Sequence, residues 1–268
     1  MIYSAIFVIL PSAVLALATI ETLPDPLLVG GTESRWGSFP SAAFIRTPTS
    51  SYCGAAVIHP EFVLTIAQCV FDSSSTHLPA HVEVIAGDLN MFPVSVERQT
   101  RTALEIIAHH NFTSFNLNND IALLRVDQPF TIPSNTVELA VRRKRIVPDE
   151  AECLLPGWGI QRATTAGFIE SRQKYLTVEI LNRDKCNEPH IHQGHVRESM
   201  LCGGNLFQSS NAACSGNLGS PLYCDGQLAG LLSFGTNCGL ADDPPVFSQV
   251  RYFNRWIDGE ILKLSGMF

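Results

Sequence analysis

Charge is scarce in this chain and unevenly signed. Only 16% of its 268 residues are Asp, Glu, Lys or Arg, and 25 acidic against 18 basic side chains leave a formal net charge of −7. That balance excludes a general nucleic-acid or polyanion binder, which needs a cationic surface. Long apolar runs are as rare. The one from Ala5 to Ala18 is too short to span a bilayer with comfort, is interrupted by Pro11 and turns polar at Thr19, and no other stretch is long enough, so no membrane span is expected. Disorder is excluded from the other side: 46% hydrophobic residues over this length supply a well-buried core. A helical period is absent between Phe39 and Leu139. The donors of His190, His192 and His195 stand at spacings a metal can use, but no companion Cys or carboxylate pattern completes a zinc signature. They read as an exposed polar loop, and no metal or cofactor is expected.

What is present reads as a small-strand protein behind a secretory leader. Residues 1–18 end in Ala16-Leu17-Ala18, a small-residue cleavage signal, although the positive charge usual ahead of the apolar run is limited to the terminal amine. Residues 19–27 form a short acidic, Pro-containing, propeptide-like segment. Eight cysteines behind such a leader imply an oxidising, extracellular destination, and their spacing alone does not choose a pairing. From Ser41 onward, short runs rich in Val, Ile, Ala and Phe (Ser41 to Ile45, Ala55 to Ile58, Phe62 to Thr65, His81 to Ala86) alternate with Pro, Ser, Asn and Gly, the pattern of a barrel or sandwich. The β pattern repeats from Cys153 to Val250. Near the end, Phe253, Trp256, Ile257, Ile261 and Leu264 recur at helical spacing, mildly interrupted by Gly259. Asn111-Phe112-Thr113 is an N-glycosylation sequon and implies an exposed loop. Arg142, Arg143, Lys144 and Arg145 form a basic cluster with three readings: an anionic-glycan or anionic-surface grip, a processing site cut after Arg145, or a solvated linker face.

Several motifs point to one family. Cys214 to Leu222 reads Cys-Ser-Gly-Asn-Leu-Gly-Ser-Pro-Leu and resembles the nucleophile loop of the trypsin-like (chymotrypsin-fold) serine proteases, Cys-x-Gly-Asp-Ser-Gly-Gly-Pro-Leu. Leu28-Val29-Gly30-Gly31 resembles the family's mature N-terminus. Val63 to Cys69 resembles the segment ending Thr-Ala-Ala-His-Cys, Asn119 to Leu124 the Asn-Asp-Ile-Ala-Leu-Leu strand, Gly157-Trp158-Gly159 the Gly-Trp-Gly strand start, and Ser233-Phe234-Gly235 the Ser-Trp-Gly segment that pairs with substrate backbone. The resemblance implies an all-β fold of two six-stranded antiparallel barrels with a C-terminal helix: homology over 28–264, a first barrel at about 40–139, a linker at about 140–150, a second barrel at about 151–250 and the helix at about 252–264. Trp158 is then a packing residue. The implied disulfides are Cys53–Cys69, Cys153–Cys224, Cys186–Cys202 and Cys214–Cys238.

The same register removes the chemistry. Amide hydrolysis on this fold needs a hydroxyl nucleophile, an imidazole to carry its proton and a carboxylate to orient the imidazole. The three positions hold Leu218, Gln68 and Asp120, and a glutamine amide has no useful basicity near neutral pH. Asp120 without its histidine reads as a structural acceptor. The residue preceding Leu28 is Leu27 rather than Arg or Lys, and the carboxylate that receives the freed amine in the family is Asn217. The oxyanion donors correspond to the N–H groups of Gly216 and Leu218. The specificity pocket maps to Ala212 at its base, Ser233, Phe234 and Gly235 along one side, and Pro245 in place of a glycine. Ser220 and Ser215 are the alternative nucleophiles, and either needs a new base, for which His59 and His110 are distant in sequence. The expected function is a secreted, catalytically inactive homologue that binds a protein partner (a protease, a protease precursor or a substrate protein) or a surface, as a protease-cascade cofactor or an immune or salivary effector. The alternatives are an endopeptidase with an unconventional triad and a glycan binder using residues 142–145.

Overall fold

The computed structural model describes residues 28–29, 31–48, 51–71, 81–92, 94–158, 172–204, 212–213, 217–235 and 243–266. The expected leader, residues 1–18, and the propeptide-like segment, residues 19–27, lie outside the described residues, as do Gly216, Cys214 and Cys238. The strands in chain order are β1 (Leu28–Val29), β2 (Thr32–Glu33), β3 (Ala42–Arg46), β4 (Tyr52–His59), β5 (Phe62–Thr65), β6 (Glu83–Ala86), β7 (Gln99–Ala108), β8 (Ala122–Val126), β9 (Glu152–Gly157), β10 (Lys174–Leu181), β11 (Met200–Gly203), β12 (Ala212–Ala213), β13 (Pro221–Cys224), β14 (Gln227–Phe234) and β15 (Val246–Gln249). A short helix α1 (Arg183–Cys186) and a terminal helix α2 (Val250–Leu264) complete the set.

Two closed antiparallel barrels result. The first runs β3-β4-β5-β8-β7-β6 and closes through β6 on β3. The second runs β11-β15-β14-β13-β9-β10 and closes through β10 on β11, with β2 appended to β10. Closure removes the edge strands that such short segments would otherwise expose. Strand β10 shows how the sequence sets a face: Leu176, Val178 and Ile180 are buried while Thr177 and Glu179 between them point out. The first barrel's core continues into the second through Tyr223, Leu228 and Leu231 and into α2 through Val250, Phe253 and Ile257. Between the barrels, the buried Tyr223 phenol bonds the Ser41 hydroxyl at 2.7 Å. Trp158 is buried as expected, its ring edge-on to Phe44 with centroids 5.0 Å apart.

Local differences from the sequence reading have physical causes. Helix α2 begins two residues earlier than expected, at Val250, because that side chain is buried and passes β15 straight into the helix. It runs through Gly259 uninterrupted. Disulfides Cys53–Cys69, Cys153–Cys224 and Cys186–Cys202 are formed, and no free cysteine occurs among the described residues. Among those residues, no helix is long and apolar enough to cross a membrane.

One polar clamp stiffens the first barrel. The Asp88 carboxylate accepts from the backbone N–H groups of Asn90 and Ser95, each at 2.9 Å, and from Arg98 Nε at 2.8 Å. Arg98 Nη2 also donates to the carbonyls of Asn90 (2.6 Å) and Met91 (2.8 Å). The Asp88 side chain is 0% exposed and that of Arg98 11%, so the guanidinium supplies the charge a buried carboxylate requires.

Candidate functional site

The site is assembled from both barrels. Gln68 sits in a single 3-10 turn, Ala67–Cys69, directly after β5, and the Cys69 bridge ties that turn back to β4. Asp120 stands just ahead of β8, after Asn119, whose φ of 55° is a left-handed conformation that asparagine tolerates better than most residues. The Asp120 carboxylate accepts from Gln68 N–H at 2.9 Å, from Gln68 Nε2 at 2.6 Å and from Ser233 Oγ at 2.6 Å. Its backbone carbonyl accepts from Ser248 Oγ at 2.5 Å. Gln68 Nε2 makes a second bond, to the Ser233 carbonyl at 2.9 Å, so both amide hydrogens are engaged.

Residues 217–220 reach the same place by other strands. Gly54 N–H donates to the Leu218 carbonyl at 2.7 Å, Gly219 N–H to the Leu232 carbonyl at 2.8 Å, and Leu232 N–H to the Ser220 carbonyl at 3.0 Å. Because Leu232 holds the loop and its neighbour Ser233 holds Gln68 and Asp120, strand β14 brings Gln68, Asp120 and the loop bearing Leu218 together. Gly219 adopts φ 79°, and a Cβ there would strike the Gly54 carbonyl; a Cβ on Gly54 would strike the Ser220 backbone. The loop therefore lies against β4 without intervening side chains. Leu218 is half-buried and packs against the first barrel's core. Asn217 is buried, its side-chain carbonyl filling the space a side chain on Gly157 would need.

Among the described residues, the alternative nucleophile Ser220 and the histidines His59 and His110 are engaged elsewhere. Ser220 is buried with its backbone against Gly54. His59 packs on Phe62, its Nδ1 accepting from Glu61 N–H, and His110 stacks on His109, which packs on Phe253 and Trp256 of α2. Ser215 lies outside the described residues.

Around the pocket, β1 pairs with β12, Val29 opposite Ala212. Ser233 and Phe234 end β14, and Gly235 follows at φ 74°, where a Cβ would meet the Pro244 and Pro245 backbone. The Pro245 carbonyl accepts from Gly203 N–H at 3.0 Å. Sequence reasoning placed His192 in an exposed loop; instead it is buried, its Nε2 donating to the Pro244 carbonyl at 2.8 Å and its ring edge-on to Phe234. His190 and His195 are exposed. The basic cluster is divided. Arg142 bonds Asn254 (3.0 Å) and Asp258 (2.5 Å) on α2, and the buried Arg143 bonds Asp225 (2.8 Å) and the Cys224 carbonyl (3.1 Å), while Lys144 and Arg145 are exposed. Thr65, whose hydroxyl holds the Gly54 carbonyl at 2.8 Å, supports the site from within the Val63 to Cys69 motif, whereas Ser248 supports it yet carries no motif that spacing alone could flag.

Asp120 is buried with no basic side chain paired to it among the described residues. Burial pushes its carboxyl up to about 6, against the opposing pull of the hydrogen bonds from Ser233 and Gln68. The unfolded chain releases this proton near the ordinary aspartate value of about 3.9. Between those two values the folded state holds more protons than the unfolded one, so this contribution to stability falls as pH rises through that window and is lowest above about pH 6. The difference corresponds to about 3 kcal/mol. Urea midpoints of the wild type and Asp120→Asn, measured from about pH 4 to about pH 7, are expected to diverge in the variant's favour as pH rises. Parallel curves would contradict a buried, uncompensated carboxylate.

The chain matches the family described as Trypsin over residues 28–257. It is 28% identical over 233 residues to Trypsin-2 of Salmo salar, covering 87% of this chain and 94% of that protein. It is 28% identical over 239 residues to Serine protease 1 of Rattus norvegicus (88% and 91% covered) and 27% identical over 237 residues to Trypsin of Sus scrofa (88% and 96%).

Proposed function

The chain belongs to the trypsin family, and from that premise we propose that it is a secreted, catalytically inactive homologue that binds a protein partner without cutting it. The partner class is a protease, a protease precursor or a substrate protein. The observation that carries this reading is Gln68: its amide hydrogens are committed to Asp120 and to the Ser233 carbonyl, at the position where hydrolysis requires a group that takes and returns a proton. Leu218 adds a hydrocarbon where the nucleophile would stand. Three disulfides and two closed barrels support a scaffold kept intact for recognition. Ser233 to Gly235, at the end of β14, offers backbone to an extended segment of the partner.

The other two readings have less support. An endopeptidase built on Ser220 needs an accessible hydroxyl, and this one is buried. A glycan site at residues 142–145 has only Lys144 and Arg145 without the intramolecular bonds that hold the other two. Incubation of the purified secreted chain with a fluorophosphonate probe, beside an active trypsin, is expected to label the trypsin alone. Covalent labelling of this chain would overturn the proposal.

A further inference from the structure

The loop that leads into Asp120 displays the sequon in a way the sequence alone does not determine. Its middle residue is an anchor: Phe112 is half-buried against the first barrel's core, its ring edge-on to Phe71 with centroids 5.6 Å apart. The two residues a glycosyltransferase must read, Asn111 and Thr113, are both exposed. The backbone around them is fixed by a Phe112 N–H bond to the His109 carbonyl at 2.8 Å, by Asn119 Nδ2 on the Asn111 carbonyl at 2.9 Å and by a bridge between Thr113 and Asn118. At the tip of the turn that this bridge closes stands Phe115, 99% exposed. Leaving such a ring in water forgoes the burial that an aromatic side chain ordinarily gains.

We propose that Asn111 carries an N-linked glycan whose first sugars cover Phe115 on the loop that leads into Asp120. The three disulfides require passage through an oxidising compartment, where sequons meet a lipid diphosphate-linked oligosaccharide. Asn111 Nδ2 loses a proton and bonds the anomeric carbon of the first sugar as the bond from that carbon to the diphosphate oxygen breaks; the lipid diphosphate leaves with the electron pair, and the proton ends in the surrounding buffer. Phe115 stands four positions beyond Asn111, a span of at most about 14 Å even if extended, so the first sugars reach the ring and set a polar surface over it. The glycan then forms part of the face offered to a partner, which rests on the binding function proposed above.

The test uses the full chain secreted from eukaryotic cells. Treatment with peptide N-glycosidase in heavy-oxygen water is expected to leave a labelled aspartate at position 111, absent in Asn111→Gln and retained in Thr113→Ser. Limited chymotrypsin digestion is expected to cut after Phe115, giving a new N-terminus at Asn116, several-fold faster in deglycosylated chain and in Asn111→Gln than in glycosylated chain, and not in Phe115→Ser. A secreted, disulfide-bonded chain without sugar at Asn111 overturns the proposal while leaving the inactive-homologue reading untouched. A glycosylated chain cut after Phe115 as fast as the deglycosylated one overturns the covering of the ring.

Discussion

Changing Gln68→His and Leu218→Ser together is expected to raise ester hydrolysis at least about 10³-fold above the wild-type chain, while either change alone stays at background. A nucleophile and its base act as one unit: removing either from a serine hydrolase costs about as much as removing both, on the order of 10⁶ in turnover. The geometry for the unit is retained. Asp120 already offers Oδ2 to a donor on residue 68 at 2.6 Å, so an imidazole there inherits the partner that fixes its tautomer. The loop bearing residue 218 is held by Gly54, Leu232 and the Gly219 turn, none of which the substitutions touch. An imidazolium beside Asp120 also supplies the positive charge its buried carboxylate lacks. Adding Asn217→Asp, with a free amine generated at Leu28, is expected to raise the rate again by restoring the ion pair that orders the oxyanion donors in the family. The measurement is steady-state hydrolysis of an activated apolar ester, with circular dichroism as a check on the fold. A folded double variant indistinguishable from wild type would show that the scaffold, and not only two side chains, has lost its competence.

Arg98→Ala is expected to lower stability by about 3–5 kcal/mol. The reason is the Asp88 carboxylate, fully buried and held by two backbone N–H groups and by the guanidinium 2.8 Å away. Removing the cation strands that charge and also releases the Asn90 and Met91 carbonyls. Replacing Asp88→Asn in the Arg98→Ala background is expected to recover part of the loss, since a neutral amide needs no counter-charge. Urea denaturation of the four chains in a double-mutant cycle reads the coupling directly. Equal losses in the single and double variants would place the effect in packing against Phe44, over which the Arg98 guanidinium lies at 5.8 Å.

Much of the fold was legible because its signals are local or covalent. The short Val-, Ile- and Ala-rich runs that form β3 to β6 and the helical spacing of Phe253 and Ile257 each depend on residues close in sequence. The outcomes that differed are those in which a side chain's partner lies far along the chain. His192 looked like part of a polar loop until Pro244 and Phe234 closed over it, and the four-cation run was divided by α2 and the β13–β14 turn.

By itself the sequence determined a trypsin-type scaffold with a hydrocarbon at position 218 and an amide at position 68, because side-chain chemistry is fixed by residue identity whatever the packing. Tertiary structure alone decided what those positions do now: Gln68 bridges Asp120 and Ser233, and Asp120 becomes a buried acceptor held by Ser233 and Ser248 from the other barrel. Hydrogen bonds between residues more than a hundred positions apart exist only once two barrels meet, and no local pattern encodes where they will fall.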